Sequence, residues 1–155
     1  MAGGVDALVL VGIQRRGVDL AERLAGLIEH RVGSPVERGA VDITLYRDDL
    51  QTVGPVPIIG ETNIPAELTG KVVVIVDDVL YTGRTVRAAL AELADFGRPA
   101  RIGLCTLIDR GGRELPIQAD IVGETVSSGP ADHVDVLLEE RDGRDAVEFL
   151  KGVRE

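Results

Sequence analysis

The sequence predicts an α/β fold, a mostly parallel central sheet with helices on both faces. Three observations lead there. Aliphatic runs of strand length occur at Ala7–Ile13, Lys71–Val76 and Ile102–Ile108. Segments with helical spacing of apolar residues, Val18–Arg31 and Thr85–Phe96, stand between them. The turns that join these pieces are short. Strands that are apolar on both faces need a cover on each side, which helices between parallel strands provide.

Ala7–Ile13 is uninterrupted and reads as a buried strand, broken by Gln14-Arg15-Arg16-Gly17. In the helix that follows, Leu20, Leu24, Leu27 and Ile28 share one face, and Gly33-Ser34-Pro35 stops it. Val41–Leu45 alternates weakly, as a strand would. Arg47–Pro65 is rich in Asp, Thr, Gly and Pro and reads as a long excursion of the kind that serves as a lid or arm. Leu68-Thr69-Gly70 turns into the second buried strand. The helix Thr85–Phe96 directs Val86, Ala89, Leu90 and Leu93 inward and ends at Gly97-Arg98-Pro99. The third buried strand leads into Asp109-Arg110-Gly111-Gly112-Arg113. Ala119–Val122 and Val134–Leu138 are shorter strands, Arg141–Arg144 is a hairpin-like turn, and Ala146–Leu150 returns. A single domain over residues 1–155 is expected.

Bulk composition narrows the function. Hydrophobic residues are 45% of the 155, too many for a disordered chain. Aromatics are 3%, so the core is built from Val, Leu, Ile and Ala. No apolar run approaches a membrane span, and no secretory signal precedes the first strand. The single cysteine, Cys105, cannot form an internal disulfide, which fits a reducing cytoplasm. The net charge of −9 argues against nucleic-acid binding through overall charge, while leaving room for a local basic patch.

Ligands of parallel sheets bind beyond the carboxyl ends of the strands. That rule selects three loops: 14–17, 77–85 and 109–113. Thr82-Gly83-Arg84-Thr85 opens a helix, where free N–H groups and the helix dipole favour an anion. Alone it would read as an ordinary N-cap. After an apolar strand and Asp77-Asp78 it reads as a site for a phosphate monoester. The two acids fit either solvated strand-end residues, part of a metal cluster, or acceptors for sugar hydroxyls. The last fits best, because loop 14–17 offers arginines where a metal cluster would need more acids. Arg15 and Arg16 fit either plain surface charge or a second phosphate site opposite the first. Tyr46 and Arg47 are candidates for closing over the ligand.

Val74–Thr85, VIVDDVLYTGRT, resembles the phosphoribosyl pyrophosphate (PRPP) signature of type I phosphoribosyltransferases. More narrowly, Asp42–Leu50 (DITLYRDDL), Asp109-Arg110-Gly111 and Arg113–Pro116 are similar to the bacterial bifunctional pyrimidine operon regulators and uracil phosphoribosyltransferases. The likeness runs from about Ala7 to Leu150. It implies the type I phosphoribosyltransferase fold, with a small hood and a flexible arm, and the conversion of uracil and PRPP into UMP and pyrophosphate. It places Asp77 and Asp78 on the ribose hydroxyls, Thr82, Gly83, Arg84 and Thr85 on the 5-phosphate, and Arg15 and Arg16 in the pyrophosphate loop. Tyr46 and Arg47 fall in the arm, with Arg47, Asp77 and Asp78 as the catalytic candidates. Asp109, Arg110, Ile121 and Val122 border the uracil pocket. Mg²⁺ is expected with PRPP, held mainly by PRPP oxygens and not by direct side-chain ligation. UMP or UTP would favour binding to a stem-loop of the pyrimidine leader mRNA and so attenuate transcription. A cytoplasmic homodimer, or an assembly of dimers, is expected.

Five departures bear mostly on the RNA role. The helix that usually precedes the first strand of the family is expected to be absent. Pro130 and His133 stand where the family carries an arginine and a lysine. Arg15 replaces a threonine, and Gly112 replaces a histidine. These leave three readings: both roles, a uracil phosphoribosyltransferase with little or no RNA binding, or a nucleotide-sensing RNA regulator with little catalysis.

Overall fold

The structure is a computed structural model that describes residues 4–43, 62–64 and 67–152. In chain order it holds β1 (Leu8–Ile13), α1 (Arg16–Val32), β2 (Glu37–Val41), β3 (Val72–Leu80), α2 (Arg84–Leu93), β4 (Arg101–Asp109), β5 (Ile121–Thr125), β6 (His133–Leu137), the short helix α3 (Glu139–Asp142) and β7 (Ala146–Leu150). Five strands form one sheet in the order β2-β1-β3-β4-β5, and every pairing in it is parallel. β6 and β7 form a separate antiparallel pair.

The aliphatic runs lie at the centre of the sheet, with a helix on each face. Val9, Val11, Val73, Ile75 and Leu104 pack with Val86, Ala89 and Leu93 of α2. On the other face Leu10 and Val76 pack with Ala21 and Ala25 of α1. The buried stripe of α1 is Gly17, Ala21 and Ala25, small residues at successive i+4 steps. Larger Leu20, Leu24 and Ile28 flank that stripe. Leu27 was expected inside but is 65% exposed, because it lies two residues, some 200° of helical turn, past Ala25. Leu90 is likewise at the surface, and Ala88 takes the inward place.

Strand boundaries differ from the sequence reading in an instructive way. β2 ends at Val41, where a strand was expected to begin. Its polar sequence ERGAV suits a sheet edge: β1 pairs along one side, and on the other Ala40 bridges to Asn63 through two hydrogen bonds of 2.8 Å. β5 starts at Ile121 and not at Ala119. β3 runs through Asp77 and Asp78 to Leu80, so the acids lie on the strand and not in a loop.

The β6–β7 pair is seated near the carboxyl end of the sheet. Val134, Val136 and Leu138 bury against Ile108 of β4, with Val79 and Leu20 at the margin. Four charged contacts tie α1 to the segment before β7: Arg16–Asp142, Asp19–Arg141, Arg23–Glu140 and Arg23–Asp145. The hairpin thus overlooks the strand ends, where the candidate residues meet.

Candidate functional site

The acidic pair sits where β3 passes between β1 and β4. Asp77 is buried, and one of its carboxylate oxygens accepts the Asp78 N–H at 2.9 Å. Asp78 is half-buried, and its Oδ1 accepts the Val79 N–H at 2.8 Å. Burial first, and then the neighbouring Asp78 charge, hold the Asp77 pKa well above the usual carboxylate value. The two adjacent carboxyl groups can engage the hydroxyls of a polar ligand at this strand end.

After Leu80 the chain turns into α2, whose first residue, Arg84, lies six residues beyond Asp78. Gly83 takes the N-cap position with φ of +94°, and no side chain caps the helix. The N–H groups of the first turn have no partner within a helix, so this end is electropositive. An ordinary threonine cap is therefore not what the structure has. The Thr82 hydroxyl instead accepts the Arg84 N–H at 3.2 Å, two residues on. Gly83 also has little room above it: a Cβ would meet the Ile117 Cβ at 3.3 Å.

The segment after β4 clamps this turn. The Glu114 and Leu115 N–H groups both donate to the Thr82 carbonyl, at 2.9 and 3.1 Å. Arg113 donates to the Tyr81 carbonyl at 2.8 Å, to Asp109 Oδ2 at 2.6 Å and to the Ile117 carbonyl at 2.7 Å. Arg84 and Glu114 pair at 2.8 Å. The sequence reading placed loops 77–85 and 109–113 at one end of the sheet. It gave no role to Arg113 or Glu114, although both lie inside a segment that it quoted.

Two glycines let the turn after β1 reach the acids. A Cβ on Gly12 would lie 2.5 Å from the Gly17 carbonyl oxygen, and one on Gly17 would lie 2.4 Å from that of Val76. The first turn of α1 therefore rests directly on β3, one residue before Asp77. The Gln14–Arg15 peptide in this turn is cis. Arg15 is exposed, whereas Arg16 reaches Asp142 on α3. The hydrogen bond that Arg16 donates to Asp142 raises the Arg16 pKa; desolvation opposes it, and the charges of Asp142, Asp78 and Asp135 add to the rise.

An open cleft of about 690 Å³ lies beyond β4 and β5, lined by Asp109–Arg113, Gln118 and Thr125–Ser128. Asp109 and Arg110 are on its wall. Ile121 and Val122 are not among the lining residues. Ile121 is 59% exposed, and the neighbouring residues Thr125–Ser128 border the cleft in their place. β5 runs three residues past Val122, and it is its carboxyl end that borders this cleft. Tyr46 and Arg47 lie outside the described residues.

A model of the phosphoribosyl transferase domain matches residues 4–140. The chain belongs to the phosphoribosyltransferase family. Within that family this phosphoribosyltransferase is 57% identical over 150 residues to the bifunctional protein PyrR of Chloroflexus aurantiacus, covering 97% of this chain and 82% of that protein. It is 56% identical over 146 residues to the bifunctional protein PyrR of Thermus thermophilus, covering 94% and 81%. Among solved structures, a hypoxanthine phosphoribosyltransferase of Trypanosoma cruzi superposes with a TM-score of 0.65 at 22% identity, over 93% of this chain and 73% of that one. That likeness speaks for the fold. A five-stranded parallel sheet flanked by helices, as seen here, is what the phosphoribosyltransferase shares with it.

Proposed function

We propose that this phosphoribosyltransferase forms UMP and pyrophosphate from uracil and PRPP, and that it regulates pyrimidine genes by binding their leader mRNA in a UMP- or UTP-dependent way. One observation carries the catalytic half. On a single strand end, the Asp77–Asp78 pair stands shortly before a helix start, with Gly83, the N-cap of α2, five residues after Asp78. The ribose of PRPP spans that interval, with its hydroxyls on the acids and its 5-phosphate on residues 82–85. The sugar lies between the carboxylates and the phosphate, so like charges are kept apart. The pyrophosphate end faces the turn that carries Arg15 and Arg16. The base occupies the cleft bordered by Asp109, Arg110 and Thr125–Ser128.

No protein nucleophile is required. The bond from C1 of the ribose to pyrophosphate breaks, C1 gains positive character, and a uracil nitrogen forms the new bond as its proton leaves. The chain holds the partners in line and stabilises the leaving group's charge. The Asp78 carboxylate also lies near the sugar, where it favours positive character at C1. Mg²⁺ bound to PRPP supplies further charge neutralisation; two adjacent strand-end carboxylates suit a ligand whose metal is carried mainly on its own oxygens.

The regulatory half rests on the similarity to the bifunctional relatives. A second reading, an enzyme with little RNA binding, is favoured by the segment Ser127–His133. His133 there is paired with Asp135 at 2.8 Å, and Arg110 is engaged within the fold. An assay with uracil, PRPP and Mg²⁺ tests catalysis; absence of UMP refutes it. A titration with leader RNA, with and without UMP and across salt concentrations, tests regulation. Affinity that UMP does not change, or no affinity at all, leaves the enzyme alone. We propose a cytoplasmic location and a dimer, or an assembly of dimers, for the working protein.

A further inference from the structure

Arg110 joins two parts of the site that come from distant stretches of chain. Its Nε donates to Ser128 Oγ at 2.9 Å, and its Nη2 to the carbonyls of Gly129 at 3.1 Å and Asp132 at 2.8 Å. Ser128 Oγ returns a hydrogen bond to the Arg110 carbonyl at 2.9 Å. The face of the guanidinium lies 3.9 Å from the centroid of the Tyr81 ring. Gly112 packs on the same ring, where a Cβ would come to 2.3 Å of Cε1. The whole Arg110 residue is only 6% exposed.

This is a planar cation used on its edge and on its face at once. The edge fixes the segment that walls the cleft. The face fixes the residue that precedes Thr82. Nε and Nη2 are given to Ser128, Gly129 and Asp132, and a face to Tyr81.

We infer that Arg110 is a positioning residue: it sets the base-side wall through Ser128–Asp132 and locks that wall to Tyr81, so that Tyr81 governs base affinity without needing to touch the base. The inference rests on the reading of the cleft as a uracil pocket. Shortening or misplacing the wall loosens the pocket for the base and leaves the PRPP groove in place.

The test uses Arg110→Lys, Tyr81→Leu and Tyr81→Phe, with steady-state kinetics in uracil and in PRPP and with amide hydrogen exchange over residues 125–132. Arg110→Lys keeps the charge but loses the fork; Tyr81→Leu loses the ring. Both are expected to raise KM for uracil about three- to tenfold, the scale of one ordinary hydrogen bond or one cation–π contact. KM for PRPP should stay within about twofold, because the phosphate and ribose contacts lie elsewhere. Tyr81→Phe, which keeps the stacking surface, should recover most of the loss. Exchange over 125–132 should quicken in Arg110→Lys and Tyr81→Leu. Equal rises in both KM values, or an unmoved uracil KM, overturn the positioning role. If the wild-type chain makes no UMP, the functional reading fails, and the exchange data alone decide whether Tyr81 and Arg110 hold the wall; unchanged exchange rejects it. If Arg110→Lys does not fold, the two Tyr81 variants carry the same comparison.

Discussion

Arg16 Nη2 donates to Asp142 Oδ1 at 2.8 Å, joining the turn after β1 to the short helix before β7. The other oxygen of Asp142 accepts the Leu138 N–H at 2.7 Å, so the carboxylate is fixed by its own backbone. Arg16 Nε is buried and has no partner among the described residues. The fork that should meet pyrophosphate is thus partly neutralised at rest. Asp142→Asn removes that negative charge, and its amide cannot satisfy both Leu138 and Arg16 as acceptor. Arg16 then presents its full charge to a polyanion. KM for PRPP is expected to fall about two- to fivefold, the scale of a partly exposed ion pair. Kinetics at low and high salt check this, since the gain should shrink as salt screens it. An unchanged or higher KM would show that Asp142 orients Arg16 and does not restrain it.

Asp78→Asn keeps the shape of the ribose-binding group and removes its charge. Asp78 is half-buried and bonded to the Val79 N–H, so the fold should survive with little loss of thermal stability. Its hydrogen bond to a sugar hydroxyl weakens from charged to neutral. We expect kcat/KM to drop about 10- to 100-fold. Activity equal to wild type in the uracil and PRPP assay removes Asp78 from the ribose site.

The acidic pair also marks how far the sequence could be read. The aliphatic runs and the two glycine-rich turns were enough to place strands and helices, because parallel strands buried on both faces leave an unbroken apolar signature. The adjacency of Asp77-Asp78 to Thr82–Thr85 was legible for the same reason: it is local. What was not legible came from contacts between distant segments. Nothing around Arg113 says that its guanidinium grips the Tyr81 carbonyl, since that partner lies 32 residues earlier. Asp142 and Ser128 looked like ordinary loop residues until their arginines were seen on them. Leu27 misled for a different reason. Its spacing fits an apolar face, but the side of α1 that meets the sheet is made of Gly17, Ala21 and Ala25, chosen for closeness over hydrophobicity.

Asp77 makes stability depend on pH. Its pKa in the folded protein lies well above the ordinary 3.8, through burial and then through Asp78. The folded state therefore holds a proton that the unfolded chain gives up at lower pH. The stabilising effect is complete below about pH 4 and is lost as pH rises through the raised folded value. Asp77→Asn stays neutral throughout. The difference in Tm, variant minus wild type, should grow more positive from about pH 4 to pH 8. Melting curves at matched ionic strength check it, and a difference that is flat with pH would mean that Asp77 does not hold its proton in the fold.

Two glycines of one helix should respond in opposite directions to the same substitution. Gly17 lies at the start of α1, where a Cβ would stand 2.4 Å from the Val76 carbonyl oxygen and 3.3 Å from the Asp77 Cα. Backbone cannot yield as a flexible side chain does, so Gly17→Ala must push α1 off β3. The expected cost is about 1–3 kcal/mol, a Tm loss of roughly 3–10 °C for a chain of this size. The same shift moves Arg16 away from Asp78, so activity should fall further than Tm suggests. Gly26, in the same helix, has nothing within 4 Å of its Cβ position. Gly26→Ala should stabilise by about 0.5–1 kcal/mol through helix propensity and leave kinetics unchanged. Calorimetry and steady-state assays on the two variants separate packing from propensity. A harmless Gly17→Ala would mean that α1 does not rest on the strand that carries the acids.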